Sequence, residues 1–374
     1  MTRLLYLSSV MVPPQVKLCV ALRRRHVDAQ FWFYEGPERT RGTFWRIDGG
    51  DSCRILPDTW LLNGRYLSLE LTRQLDTFDP DIVILGGFSI PGNYLAYRWA
   101  RRNGKRVVVF TERSRDRHGN LRGASPAWWL LRNLYRHVDL VIVSADDAVA
   151  QFRDVLGFGQ KVVAGRYAAD IDGYLGHPAR KPGDSPVLLY PNRMTPIYAP
   201  LLALDIFAVL RRRYPNARLL MNAAGELGPA CRRRVAELTL ETAVEFLADI
   251  RQWNELPDVY ARAHVMILPA TFSNGNFTII ESMASGLGIV ISDRILGIGN
   301  LIEEGVNGFR CEPTVEAFVD RIERYLRSPA LIAQHAHLNR AIARPLGAEG
   351  TAEFLLDLLA RNGQLSAVDA RSAA

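Results

Sequence analysis

The stretch Asp81–Phe110, DIVILGGFSIPGNYLAYRWARRNGKRVVVF, decides the fold. It opens with DIVIL and closes with RVVVF, two nearly continuous apolar runs. Such runs suit strands covered on both faces, because a sheet with one wet face alternates apolar and polar residues. Between them, Asn93–Arg102 sets apolar residues at helical spacing, and Gly104 follows as a stop signal. Strand, helix and second buried strand make one parallel βαβ unit.

The same alternation extends outward. Toward the amino end, Leu4–Val10 reads as a strand and Val16–Arg25 as a helix. Toward the carboxyl end come a helix over Trp128–Tyr135, a strand over Leu140–Val143, a helix over Asp146–Val155 and a short strand over Lys161–Val163. His177–Asp184 (HPARKPGD) is polar, with two prolines and a glycine, and reads as a linker. The pattern then restarts. Strands are predicted at Val187–Tyr190, Ala217–Asn222, Val244–Leu247, Val265–Leu268 and Gly288–Ile291, with helices at Pro200–Arg213, Phe277–Ser285, Thr314–Leu326 and Thr351–Asn362. The fold class is α/β: two doubly wound, Rossmann-like domains facing a central cleft, with ligands at the carboxyl ends of the strands.

Composition excludes several classes. Of 374 residues, 48% are hydrophobic and 23% charged, which is globular and not disordered, collagen-like or coiled-coil. Cys19, Cys53, Cys231 and Cys311 form no CxxC pair, so a disulfide scaffold or zinc ribbon is not expected, and a reducing cytosol is. No apolar run is long enough to span a bilayer. The opening MTRLLYLSSVMVPP reads as a buried strand rather than a signal peptide.

The net charge of +7 is unevenly placed: residues 1–175 hold 25 Lys and Arg against 18 Asp and Glu, and the rest hold 21 of each. A solvated basic face is the plain reading. Attraction to an anionic membrane surface is the second, with Leu22–His26, Arg98–Arg106, Trp128 and Trp129 as candidates. Nucleic-acid binding is set aside, because no helix-turn-helix, RRM or zinc-finger signature is present. The expected location is cytoplasmic, with membrane association as the open alternative.

Ala270–Gly286 (ATFSNGNFTIIESMASG) resembles the donor-site segment of the family 4 retaining glycosyltransferases, which have the GT-B fold. Tyr190–Arg193 (YPNR), Pro215–Met221, Leu256–Ala270 (LPDVYARAHVMILPA) and Gly297–Phe309 resemble other segments of that family, in the same order. Asp79–Leu85, Arg106–Thr111, Val138–Ser144 and Lys161–Asp170 resemble its acceptor-domain strands. The resemblance implies an acceptor-binding domain over 1–175 and a donor-binding domain over 185–345. The terminal segment 351–374 is a candidate to pack back on the first.

The residues carry matching chemistry. Ser273, Asn274, Gly275 and Asn276 form a polar turn before a helix, where Asn276, Phe277 and Thr278 would offer unpaired N–H groups to a phosphate or sugar hydroxyl. The plainer alternative is that one asparagine simply caps the helix. Glu281 follows on that helix; a carboxylate suits two adjacent hydroxyls because it only accepts, and the resemblance implies the nucleotide ribose. The family's second glutamate, facing the sugar, is Ser273 here. Arg193 matches the arginine that holds the diphosphate, while its partner lysine is replaced by Tyr198. In the first half, Glu112 and Arg113 follow Thr111, with Arg113 where the family often has histidine; Glu112 could orient an acceptor hydroxyl or take its proton. These two are the catalytic candidates.

No metal is expected. Asp170-Ile171-Asp172 looks like a DxD motif but sits near the linker, and His335 and His337 are two apart in a helical stretch, pointing to different faces. Nor is a cofactor expected, since a nucleotide-diphosphate sugar serves as co-substrate. The expected activity moves that sugar, with retention, to a hydroxyl-bearing glycan or lipid-linked acceptor in cell-surface polysaccharide or glycoconjugate synthesis. The alternative is a binding protein of the same fold that has lost turnover, suggested by Ser273, Tyr198 and Arg113.

Overall fold

Along the buried strands, neighbouring side chains point to opposite faces, so a strand is apolar throughout only when both faces are covered. That is the arrangement found in the computed structural model, which describes residues 1–36, 47–62, 65–112, 123, 125–144, 146–178, 185–248, 250, 252–273 and 277–365. The chain divides into two units: Met1–Asp170 together with the segment from Leu346, and Ile171–Pro345.

The first unit runs β1 (Arg3–Val10), α1 (Pro13–Arg24), β2 (Asp28–Glu35), β3 (Cys53–Ile55), a hairpin of β4 (Thr59–Leu62) and β5 (Arg65–Ser68), α2 (Leu71–Phe78), β6 (Ile82–Gly86), α3 (Pro91–Arg102), β7 (Arg106–Thr111), α4 (Pro126–Leu134), β8 (Leu140–Val143), α5 (Asp146–Ala150) and β9 (Val162–Ala164). Its seven-stranded sheet has the order β3-β2-β1-β6-β7-β8-β9, with every pairing parallel. Leu4, Ile82, Ile84 and Val108 enter the core under α1, while Leu5, Leu7, Val83, Leu85, Val107 and Val109 enter the opposite core under α2 and α3.

The second unit runs α6 (Asp172–Leu175), β10 (Val187–Tyr190), α7 (Pro200–Arg213), β11 (Arg218–Asn222), α8 (Gly228–Glu237), β12 (Val244–Leu247), α9 (Leu256–Ala261), β13 (Val265–Leu268), α10 (Phe277–Ser285), β14 (Gly288–Ser292), β15 (Phe309–Cys311), α11 (Val315–Arg327) and α12 (Pro329–Ala343). Its sheet order is β12-β11-β10-β13-β14-β15, again all parallel. Finally α13 (Ala348–Arg361) returns to the first unit and places Leu355, Leu356 and Leu359 in the core it shares with α1. Arg166 fixes it there, donating to the Gly350 carbonyl at 2.7 Å and lying 4.2 Å over the Phe354 ring.

The division falls earlier than the 1–175 and 185–345 boundaries read from the linker composition. The reason is α6: Tyr174 packs edge-on to Tyr260 with ring centroids 5.1 Å apart, and Gly173 lies against Pro257. Residues 179–184 of the expected linker lie outside the described residues. The helix expected over Asp146–Val155 is α-helical only to Ala150; Gln151–Val155 continues as a π turn, in which the Leu156 N–H reaches the Gln151 carbonyl at 2.9 Å. The elements not anticipated are β2, β3, the β4–β5 hairpin, α2, α6, α8 and β15. The α8 sequence GPACRRRVAE hides its apolar contacts, Cys231 and Val235, behind three consecutive arginines. At three residues, β15 is too short to show any period.

Candidate functional site

In the second sheet the strand order reverses between β10 and β13, which leaves a crevice at their carboxyl ends that the crossover helices do not fill. Two loops meet there, one leaving β10 and one leaving β13.

The first loop is held from three sides. Fully buried Tyr190 ends β10, and its hydroxyl donates toward the carbonyls of Arg193 at 3.3 Å and Tyr198 at 3.1 Å. Asn222, ending β11, donates its side-chain amide to the Pro191 carbonyl at 3.0 Å. The Met194 N–H donates to the Ala224 carbonyl at 2.7 Å, and its carbonyl accepts from the Leu227 N–H at 2.9 Å. Gly225 makes this clamp possible. Its φ is +137°, and a Cβ there would sit 2.5 Å from the Met194 carbonyl oxygen. Only glycine combines that backbone angle with so close an approach. The effect is to fix the backbone around Arg193 while the Arg193 side chain stays exposed, with no ion pair among the described residues.

The second loop is tied to the first. Thr271 donates from both its N–H (2.8 Å) and its hydroxyl (3.2 Å) to the Ile197 carbonyl. Thr278, in the first turn of α10, donates to the Asn192 side-chain oxygen at 3.0 Å. The start of α10 is thereby bonded to the residue next to Arg193. Ser273 is 4% exposed, and its carbonyl accepts from the Leu296 N–H at 3.0 Å, so it is anchored to the loop after β14. That loop is itself held by the Arg310 guanidinium, which reaches the carbonyls of Gly299 and Ile295 at 3.1 Å.

Glu281 lies one turn into α10 and is half-buried. The Tyr260 hydroxyl of α9 donates to its Oε2 at 2.6 Å. Burial, then the Glu281 charge, push the Tyr260 hydroxyl well above the usual tyrosine range, so it stays a proton donor at any ordinary pH. Of the sequence-derived donor residues, Arg193, Ser273, Phe277, Thr278 and Glu281 are therefore gathered at the crevice of one sheet. Asn274, Gly275 and Asn276 lie outside the described residues.

In the first unit, β7 ends at Thr111, and Glu112 is exposed directly after it. The Tyr167 hydroxyl donates to Glu112 Oε1 at 2.7 Å, and the Tyr167 ring packs on Phe110 with centroids 5.0 Å apart. Burial first and Glu112 second raise the Tyr167 hydroxyl well above its usual range. Glu112 is thus a held carboxylate at a sheet's carboxyl edge. Arg113 lies outside the described residues.

The remaining candidates resolve into ordinary contacts. Asp170 pairs with Lys17 of α1, whereas Asp172 opens α6 in the other unit. His335 is buried, with Nδ1 2.8 Å from the Tyr325 hydroxyl, while His337 is exposed on another face of α12. Sequence reasoning missed Tyr260, Asn192, Gly225 and Tyr167. Tyr260 stands inside LPDVYARAHV, quoted there only for its likeness to the family, and it is 1% exposed. Its signal was an aromatic residue at the interior position of that short helix. Among the described residues, no helix is long and apolar enough to cross a membrane.

Comparison with known proteins bears on the family and the fold. Residues 177–343 match the family described as Glycosyl transferases group 1, and residues 15–165 match the Glycosyl transferase 4-like domain. Over 147 residues the chain is 28% identical to an uncharacterized glycosyltransferase of Haemophilus influenzae, covering 39% of this chain and 41% of that protein. Over 191 residues it is 26% identical to D-inositol 3-phosphate glycosyltransferase of Streptomyces griseus, covering 47% and 39%. The chain thus spans about two fifths of the length of these curated relatives. Among solved structures, Anabaena HepE in complex with UDP superposes with a TM-score of 0.73 at 16% identity, over 96% of this chain and all of that one. The pneumococcal O-GlcNAc transferase GtfA in complex with UDP and GlcNAc gives 0.72 at 10% identity, over 97% of this chain. At such identities the likeness is one of fold. With both units matched in their order and both sheets doubly wound, the chain belongs to the glycosyltransferases of the GT-B fold, of the family 4 type.

Proposed function

We propose that this protein transfers a sugar from a nucleotide-diphosphate sugar to a hydroxyl acceptor, keeping the anomeric configuration. One observation carries the reading: the Thr278–Asn192 hydrogen bond joins the amino end of α10 to the Arg193 loop, beside Glu281. In this reading the diphosphate lies between the Arg193 guanidinium and the first N–H groups of α10, where the helix dipole favours negative charge. Glu281, oriented by Tyr260, accepts from the ribose hydroxyls. The first unit holds the acceptor, with Glu112 near its hydroxyl.

Catalysis then rests on holding the two substrates together and stabilising the departing diphosphate. The acceptor oxygen bonds to the anomeric carbon on the face the diphosphate leaves. The carbon–oxygen bond to the diphosphate breaks, and the acceptor proton passes to a leaving phosphate oxygen. No cofactor or metal is invoked, since the donor is a co-substrate. The buried hydroxyl of Ser273 stands where the resemblance places a carboxylate, so the sugar is gripped with less charge assistance. We read the acceptor as a glycan or a lipid-linked carrier of cell-surface polysaccharide or glycoconjugate synthesis.

The experiment is incubation with UDP-, GDP- and ADP-sugars while nucleotide release is followed, starting with uridine donors because the HepE structures were solved with UDP and UDP-glucose. Slow release that Glu281→Ala abolishes supports transfer. Tight nucleotide binding without release, with candidate acceptors present, shows instead a binding protein of this fold.

A further inference from the structure

Many basic side chains of the first unit have acidic partners. Arg23 pairs with Asp28 at 2.9 Å, Arg24 and Arg25 both pair with Glu349 of α13, and Lys105 pairs with Asp79 at 2.7 Å. The Leu22–His26 cluster that the sequence offered as a membrane contact therefore has its own counter-charge.

One face keeps its charge. Helices α3 and α4 lie side by side: the Tyr94 and Tyr97 rings of α3 pack on Tyr135 at 5.6 and 4.9 Å, and the His137 N–H donates to the Tyr97 hydroxyl at 3.2 Å. Both helices begin at the carboxyl edge of the sheet, since each follows a parallel strand. Their amino-terminal halves expose apolar side chains: Leu95 is 40% exposed, Trp129 61% and Leu130 53%. Trp128 is different, because it packs edge-on to Phe88 and Phe152 and belongs to the core. Further along the same helices and just past α4, Arg98, Arg102 and Arg136 are exposed and have no ion pair among the described residues. The nearby carboxylates are engaged, Asp139 with Arg101 and Asp154 with Arg153.

From this juxtaposition we infer that the α3–α4 face docks on an anionic lipid surface; the inference rests on the reading of the acceptor as lipid-linked. A tryptophan and a leucine standing clear of the surface suit the headgroup boundary, where an amphipathic ring is most stable. Unpaired arginines one turn apart repel each other in water, and a negative surface relieves that repulsion. A second copy of this chain fits poorly, because a two-fold contact would set the same arginines against each other.

The test is co-sedimentation of the full chain with vesicles of phosphatidylcholine, with and without phosphatidylglycerol. Binding is expected only to the anionic vesicles and to weaken with salt. Changing Trp129 and Leu130 together to serine is expected to lower it at least tenfold, and each of Arg98→Gln, Arg102→Gln and Arg136→Gln about fivefold. The variants should keep the wild-type thermal midpoint and UDP affinity, because none of these side chains is in the donor site or the core. No vesicle binding, equal binding to neutral vesicles, or variants that bind like wild type would each overturn the inference. An acidic protein as the true occupant would show as the first of these. Loss of UDP binding in the wild type would sink the donor-site reading and leave the vesicle result standing.

Discussion

The Tyr260 hydroxyl reaches Glu281 Oε2 at 2.6 Å, so a fully buried residue of α9 sets the orientation of a carboxylate on α10. A hydrogen bond to a charged acceptor contributes about 1.5–3 kcal/mol. Tyr260→Phe removes it while keeping the ring on Tyr174. We expect UDP affinity to fall by about tenfold, from a carboxylate free to turn away. Glu281→Gln, which keeps an acceptor oxygen, should lose less than Glu281→Ala. Calorimetric titration with UDP orders the three variants, and an unchanged affinity in Tyr260→Phe would detach the hydroxyl from the site.

Arg193 is expected to read the diphosphate rather than the base. Arg193→Ala should weaken UDP by at least tenfold and leave uridine unaffected, so the preference for UDP over uridine collapses. Arg193→Lys should recover part of it, because the charge remains but the forked geometry does not. Equal losses for UDP and uridine would mean that the loop had moved, not that a phosphate contact was gone.

Gly225 supports Arg193 from beneath. Any side chain there meets the Met194 backbone at a φ of +137°. Gly225→Ala should destabilise the second unit by at least about 1–3 kcal/mol and weaken nucleotide binding at the same time. Denaturant midpoints with and without UDP check both effects.

Glu112 is held by Tyr167 at 2.7 Å, and the proposed function puts it beside the acceptor hydroxyl. Glu112→Gln is expected to lower the transfer rate by up to about 10²-fold through lost orientation of the acceptor hydroxyl, with little change in UDP affinity. A variant with full transfer rate would remove Glu112 from the chemistry.

His335 gives the fold a pH dependence. Burial holds its imidazole below the usual histidine range, so the folded state keeps it neutral. The unfolded chain takes up a proton near its ordinary value of about 6.5, and the folded chain only at lower pH. The unfolded state therefore binds more protons in that window, and stability falls as pH drops below about 6.5. His335→Phe should flatten this slope in urea midpoints compared across that window. An equal slope in the variant would assign the effect to other groups.

The amino-acid sequence by itself determined the architecture. Runs such as Ile82–Gly86 and Val265–Leu268 are apolar on both faces, and only a parallel sheet covered on both sides buries them. Ala270–Gly286 likewise marked where α10 begins, because a polar turn before an apolar helix is a local pattern. Other features were not local. Tyr260 and Glu281 are 21 residues apart, and Thr278 and Asn192 are 86 apart. Their bonds exist because parallel strands carry distant loops to one edge, and no periodicity reports which side chains meet there. The same holds for charge. Leu22–His26 reads as a free basic patch until Glu349 arrives from α13, more than 300 residues on, and pairs with both Arg24 and Arg25. The sequence counts charges and apolar runs, whereas pairing and exposure depend on which surfaces the fold brings together, and only the tertiary structure decides that.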